Sequence, residues 1–550
     1  MPNIDTTAPA MDRPTKVFGM DADGQVGWLP AGVVSLADLY PIAPMGGPGS
    51  GLGVCPPEIL PEGMEPLPGY TDRLHRHWGN YQFADGSIMC WVPKFFYRIN
   101  HADNPAHEAC APNDIHVVGT ETFANRAQAA AAGYVLHRAF IDGGVEQAGF
   151  FVDKYKVSKN AKGAGWIASS LKGGLPLSAA SAHNPVGELT ATSGSNINGS
   201  FVAAPKGRDG VDGAANPGSA FHCMSIFQQA ALAMLSLAHG QAATGTTHCA
   251  WYDAAGLTNF PKGCNNNALR DTDDATVLYE SDGYENCGKT GSGVPVAKTT
   301  HNGQECGVAD LNGLMYEVLI GMTCIGIVGP ITGAATASPC ALTVAGHGLA
   351  TGTVVRIDSV EGMTELNGNM YTITVVDPDT ITLDGVDATG YTPYTSGGSV
   401  FSGTYYVAKE TTSMADFTEG NTLATDHWGA TGVAAMMEPI DVPMLAGPGG
   451  NSATLKVGAA GEQVLSGAAT GAEYTLAGAG FPASTGAIST GGDALFGADI
   501  YLQHYRNEAC VIGCGHWNVA ANAGVFARNL INARTSASHV VGGRAACYPA

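Results

Sequence analysis

The chain has 550 residues; 75 are Gly, 13% are charged and 45% are hydrophobic. Gly at about twice and charge at about half their ordinary shares, beside ample apolar material, exclude an intrinsically disordered chain, a helical bundle and, for want of a three-residue Gly period, collagen. The formal net charge of −22 repels phosphate backbones, so no nucleic-acid partner is expected, and no apolar run reaches the ~18 residues of a membrane span, so no membrane insertion is expected.

The first residues lack a basic segment followed by an apolar one, so no Sec-type signal is read there. Val17–Met20 and Gln25–Leu29 are short apolar runs around Asp21-Ala22-Asp23-Gly24, a turn signal, and predict a small hairpin. Residues 41–69 are dense in Pro and Gly and read as a connector. Two readings of this head stay open, an attachment segment for a larger assembly and a disordered tail.

A compact domain is expected from about residue 71. Ser87–Ile99 reads as one aromatic β run. Gly149–Ser158 reads as a second strand, with Phe151, Asp153 and Tyr155 on one face. Residues 159–220, rich in Gly, Ser and Asn, read as a long loop region. Met224–His239 predicts a helix. Ile226, Phe227, Ala230, Ala233, Met234 and Leu237 form its buried stripe, and Gly240 is its stop. Residues 327–402 change texture. Ala341–Val344, Val354–Ile357, Met370–Val376 and Thr380–Leu383 are short strands at roughly ten-residue spacing, which predicts a small all-β module inserted in a surface loop. The 13 cysteines include no CxxC pair. They read as buried small hydrophobes, with one or two disulfides left open and zinc-type spacing missing.

Several motifs follow one another in a familiar order. They are GFFVDKYKVS at 149–158, the helix at 223–239, DLNGLMYEV at 310–318, and GCGHWN at 513–518. AGVFARNL at 523–530, NAR at 532–534 and VGGR at 541–544 close the series. This order resembles the formylglycine-generating-enzyme-like branch of the C-type lectin fold, in the form found in bacteriophage tail fibre and receptor-binding proteins and in retroelement-diversified variable proteins. The strand SIMCWVPKFFYRI, the segment FPKGCNNNALRD and the inserted module are similar to the same phage branch.

The resemblance implies an α+β, loop-rich and mostly β chain. Residues 1–70 would attach it to a virion, 71–326 and 403–550 would form one lectin-like domain, and 327–402 would be the insert. It implies a tail-tip or tail-fibre adhesin in the virion, bound to other tail proteins through its N-terminus, as a homotrimer. Such an adhesin would bind a bacterial surface receptor, a sugar or an outer-membrane protein, without covalent chemistry. The expected receptor face is His516, Trp517, Asn518, Ala520, Asn522, Phe526, Asn529, Asn532, Thr535, Ser536, Ser538 and His539. Neutral polar and aromatic side chains of this kind suit sugar hydroxyls and peptide amides. Arg528, Arg534 and Arg544 are expected to pair internally.

Catalysis is not expected. The formylglycine oxidase pattern needs a cysteine pair after the tryptophan. Here no cysteine follows Trp517 until Cys547, while Cys510 and Cys514 precede it. GKTGSG at 288–293 lacks the Gly and the preceding strand of a phosphate-binding loop. Asp271, Asp273 and Asp274 group oxygen ligands that suit Ca²⁺ without EF-hand spacing; the other reading is a solvated acidic turn. A structural particle protein, a formylglycine-type oxidase and a surface hydrolase are the alternatives.

Overall fold

The computed structural model describes residues 60–549 apart from 73–74, 121, 191–200, 253–262, 266, 273, 418–429, 446–451, 456–475, 483–487 and 490–498, together with the strands Lys16–Met20 and Val26–Pro30. Those two strands pair antiparallel, Phe18 opposite Trp28, as the expected hairpin. The rest of the segment 1–59 and Asp273 lie outside the described residues.

Ile88–Pro93 and Phe95–Ile99 are separate strands in different sheets, where the sequence reads as one. Pro93 has no N–H for a ladder, and Lys94 N–H turns to the Ala148 carbonyl at 2.8 Å. Ile88–Pro93 lies in a six-stranded sheet, in the order Phe221–Cys223, Ala545–Cys547, Gly149–Asp153, Ile88–Pro93, Asn80–Phe83, Met64–Pro66. The last strand of the chain is thus an inner strand, with Cys547 opposite both Phe151 and Phe221. Gly149–Asp153 ends earlier than predicted and is buried along its whole length. The expected loop region opens instead with the hairpin Ser158–Lys162 and Gly165–Ser169.

The helix runs Ile226–Ala242, past Gly240. Ser225 caps it in a reciprocal box with Gln228, satisfying two backbone donors that a helix start leaves open. Nearly every residue of it is buried, so it is a core helix with no solvent face. Gln229 Nε2–H donates to the Val525 carbonyl and ties it to the strand Gly524–Asn529.

A seven-stranded sheet carries the C-terminal motifs. Its inner strands run Asp499–Leu502, Gly524–Asn529, Ile512–Cys514, Tyr316–Val318, and Val541–Gly542 ends it. In the module, Met322–Pro330 and Ser396–Ala408 pair from Met322 opposite Val407 to Pro330 opposite Ser399, carrying the chain out and back. Between them Cys340–Thr343, Val354–Glu361, Met370–Asp377 and Thr380–Leu383 enclose a core of their own, built on Leu342, Val355, Ile357, Ile373 and Ile381. No helix among the described residues is long and apolar enough to cross a membrane.

The expected C-type-lectin-like fold is corrected by this architecture. The chain is mostly β, and among the described residues its strands divide over seven sheets of two to eight strands, with a separate core inside the module. The expectation rested on the order of loose motifs, and motif order does not determine which strands pair or how many sheets they form.

Candidate functional site

The C-terminal face is built on a buried charge lattice. Arg544 Nε and Nη2 donate to the two carboxylate oxygens of Glu317 at 2.9 and 2.8 Å. Its remaining protons reach the carbonyls of Asp153, Lys154 and Ala309. Lys156 Nζ donates to the same Glu317 carboxylate. Burial alone would raise that carboxyl; Arg544 and Lys156 outweigh it and hold it at about 2. Beside it, Arg208 forks onto Asp153 at 2.7 and 2.9 Å, and Ala545 N–H donates to Asp153 Oδ2. Three strands and the chain end are thereby fixed beneath the loops that follow Cys514 and Asn529. Arg534 pairs with Glu508 at 2.6 Å, and Arg528 donates to the carbonyls of Ala479, Val525 and Ala527. All three arginines bond internally, as expected, Arg544 and Arg534 to carboxylates and Arg528, among the described residues, to carbonyls only.

Cys514 and Gly515 are both in the left-handed region, at φ +74° and +79°. This sharp reversal throws Trp517 inward. A Cβ on residue 515 would lie 2.6 Å from the Ala523 Cα, so only Gly fits. Trp517 is fully buried in a small satellite core with Cys264, Val277, Tyr279, Cys287, Leu314 and Met315. Around it stand His516, at a ring distance of 5.4 Å, and His539, at 6.0 Å. Tyr284 lies 5.6 Å from His539. Asn518 is exposed beside them. The loop docks on Asn265 and Asn267: Asn267 N–H donates to the Trp517 carbonyl, and Asn265 exchanges hydrogen bonds with the Ala520 backbone. Burial and the neighbouring His539 lower His516 to about 4, so its ring is neutral at physiological pH.

The predicted face therefore divides. His516, Asn518, Ala520, Asn522, Asn532, Thr535, Ser536, Ser538 and His539 all reach solvent wholly or in part. Trp517, Phe526 and Asn529 are corrected: the first two are fully buried and Asn529 nearly so. Trp517 and Phe526 anchor the loops through apolar packing. Asn529 Oδ1 accepts from Ile531 N–H and from Asn532 Nδ2, shaping a turn. Asn532 is thus also engaged locally.

The acidic turn is likewise spoken for. Asp271 is buried and accepts from the backbone N–H groups of Gly263 and Asp274. Asp274 accepts from Lys298 Nζ and from Thr276. A lysine ammonium on one carboxylate and backbone donors on the other leave little for Ca²⁺ in the described part of the turn.

Two features escaped the sequence. One is a cleft of about 830 Å³ lined by Asp85, Asn160, Lys162, Arg208, Phe221 and Tyr548. Lys162 donates there to the Arg208 carbonyl, Asn160 to the Asp85 carbonyl, and Asp85 accepts from Ser87 and Ser169, so these three side chains are already engaged. The other is a buried cluster under Tyr284, of His183, Asp282 and Cys287, whose donor atoms all lie within 4.8 Å of one another. No local motif marks it, because His183 is 99 residues from Asp282 in sequence.

The family model for the ubiquitin-activating enzyme E1 FCCH domain matches residues 340–402, most of the β-module and its separate core. No curated protein matches the chain. The phage tail-fibre and lectin-like resemblance is corrected by this finding: over 340–402 the chain is similar to an FCCH domain. The match spans far less than half of the chain, and a domain named for an enzyme family does not by itself show catalysis.

Proposed function

We propose that the chain is an adhesin, which attaches non-covalently to a bacterial surface receptor, a sugar or an outer-membrane protein. The observation that carries this reading is the row of polar side chains, His516, Asn518, Ser538 and His539, around the buried Trp517. A scaffold that presents exchangeable polar tips suits hydroxyl and amide ligands. Residues 1–70 would tie the chain to a larger assembly, and several copies would turn weak contacts into avid ones.

The reading is of a binding protein and not an enzyme. Burial raises the thiols of Cys510 and Cys514, the latter to about 12, so both keep their protons at neutral pH, which supports the absence of thiolate chemistry. The test is adsorption of the purified chain to a panel of bacterial cells. The combined change His516→Ala, Asn518→Ala and Ser538→Ala should abolish binding and leave the urea midpoint in place. Undiminished adsorption would move the receptor face elsewhere, and release of soluble sugar from the cells would make the chain a hydrolase.

A further inference from the structure

The geometry points to a metal site of the zinc class on His183 Nε2, a carboxylate oxygen of Asp282 and Cys287 Sγ. His183 Nδ1 lies 3.0 Å from the His539 carbonyl oxygen, which can only accept. With its proton on Nδ1 the ring would meet that acceptor and offer the Nε2 lone pair to a metal. Nε2 in turn faces Asp282 Oδ2 at 2.7 Å, a second acceptor. An ion seated between Nε2 and that carboxylate oxygen would take the place of their direct contact. Cys287 Sγ completes a donor set with a spread of at most 4.8 Å. Tetrahedral zinc bonds would set these atoms about 3.3–3.6 Å apart, so closing the set asks Nε2 and Oδ2 to part by about 0.6 Å and the thiol side to move in by about 1 Å.

The surroundings are those of a held site. Asp282 Oδ1 accepts from Tyr284 N–H at 2.8 Å, and Asp282 N–H donates to the Cys287 carbonyl, closing the turn. The His183 ring stacks on Tyr284 at 4.2 Å and meets Trp517 edge-on. Both partners on the far side of the ligands, the His539 carbonyl and the Tyr284 amide, orient them as outer groups orient metal ligands. A thiolate with an imidazole selects a zinc-class ion over Ca²⁺ or Mg²⁺. On binding, the Cys287 thiol gives its proton to solvent and the sulfur takes the metal. The ion would bridge residue 183, the 282–287 turn and, through Nδ1–H, the loop at His539, pinning one side of the C-terminal face. This site does not depend on the adhesin reading.

The test uses the full chain, treated with a chelator, desalted and kept under a non-thiol reductant. Zinc chloride titration should give one tightly held equivalent. Cobalt(II) should give a thiolate-to-metal charge-transfer band in the near ultraviolet, a signature that needs no variant. Cys287→Ser should remove that band, and Asp282→Asn should weaken zinc binding at least tenfold, both with unchanged circular dichroism. A folded wild-type chain without stoichiometric zinc overturns the site. So does a cobalt spectrum lacking the thiolate band, or full zinc affinity in Cys287→Ser.

Discussion

Replacing Arg544 with Met tests the lattice under the C-terminal face. Met fills much of the volume but removes both donors to Glu317 and those to the carbonyls of Asp153, Lys154 and Ala309. Glu317 is fully buried and keeps only Lys156 as a charged partner. Breaking a buried pair by deleting one member costs about 3–5 kcal/mol, and each orphaned carbonyl that water cannot reach adds about 1–3 kcal/mol. A loss of at least about 4 kcal/mol is expected in urea unfolding followed by tryptophan fluorescence, a large part of ordinary stability of about 5–15 kcal/mol. Adding Glu317→Gln should recover part of it, because a neutral amide no longer demands a guanidinium. A pH series supplies the second readout. The Glu317 carboxyl is depressed to about 2 in the folded chain from its ordinary 4.5, so its contribution is complete above 4.5 and is lost as pH falls from there towards 2. Glu317→Gln should flatten that part of the acid profile. A change under about 1 kcal/mol for Arg544→Met, or strictly additive losses in the double variant, would refute the reasoning.

Gly480→Ala should cost about 2 kcal/mol or more by urea melting: residue 480 has φ +74°, and a Cβ would lie 2.0 Å from Arg528 Nη2, whose guanidinium is held by three carbonyls. Ser225→Ala removes the helix cap and should cost about 1 kcal/mol, read by the same melt; Ser225→Asp should largely restore it. Thr535→Ala, at an exposed loop position, should shift stability by less than about 0.5 kcal/mol while weakening receptor adsorption.

Local periodicity made the helix and the module strands legible. The 3.6-residue stripe from Ile226 to Leu237 and the turn-bounded runs at 354–357 and 380–383 lie where the structure has a helix and strands. The hairpin at 16–30 was legible from its turn chemistry. Pairing over long range was not. Pro93 splits an apparently continuous run because ladder hydrogen bonds, not side-chain character, end a strand. The sheet set was misread for the same reason: motif order carries no register. In the site, the surface residues are legible as polar loop positions, while burial sets Trp517 and Phe526 in the core as anchors of the loops and not on the ligand face. The cluster of His183, Asp282 and Cys287 left no trace in the sequence, since folding alone brings its members together.

The adhesin account is tested most directly by a hydrogen-exchange footprint of the full chain, with and without saturating bacterial envelope fragments. The account predicts new protection confined to residues 516–522 and 535–539. Protection that falls instead on the cleft around Asn160, Lys162 and Phe221, or on no segment of the chain, would contradict it.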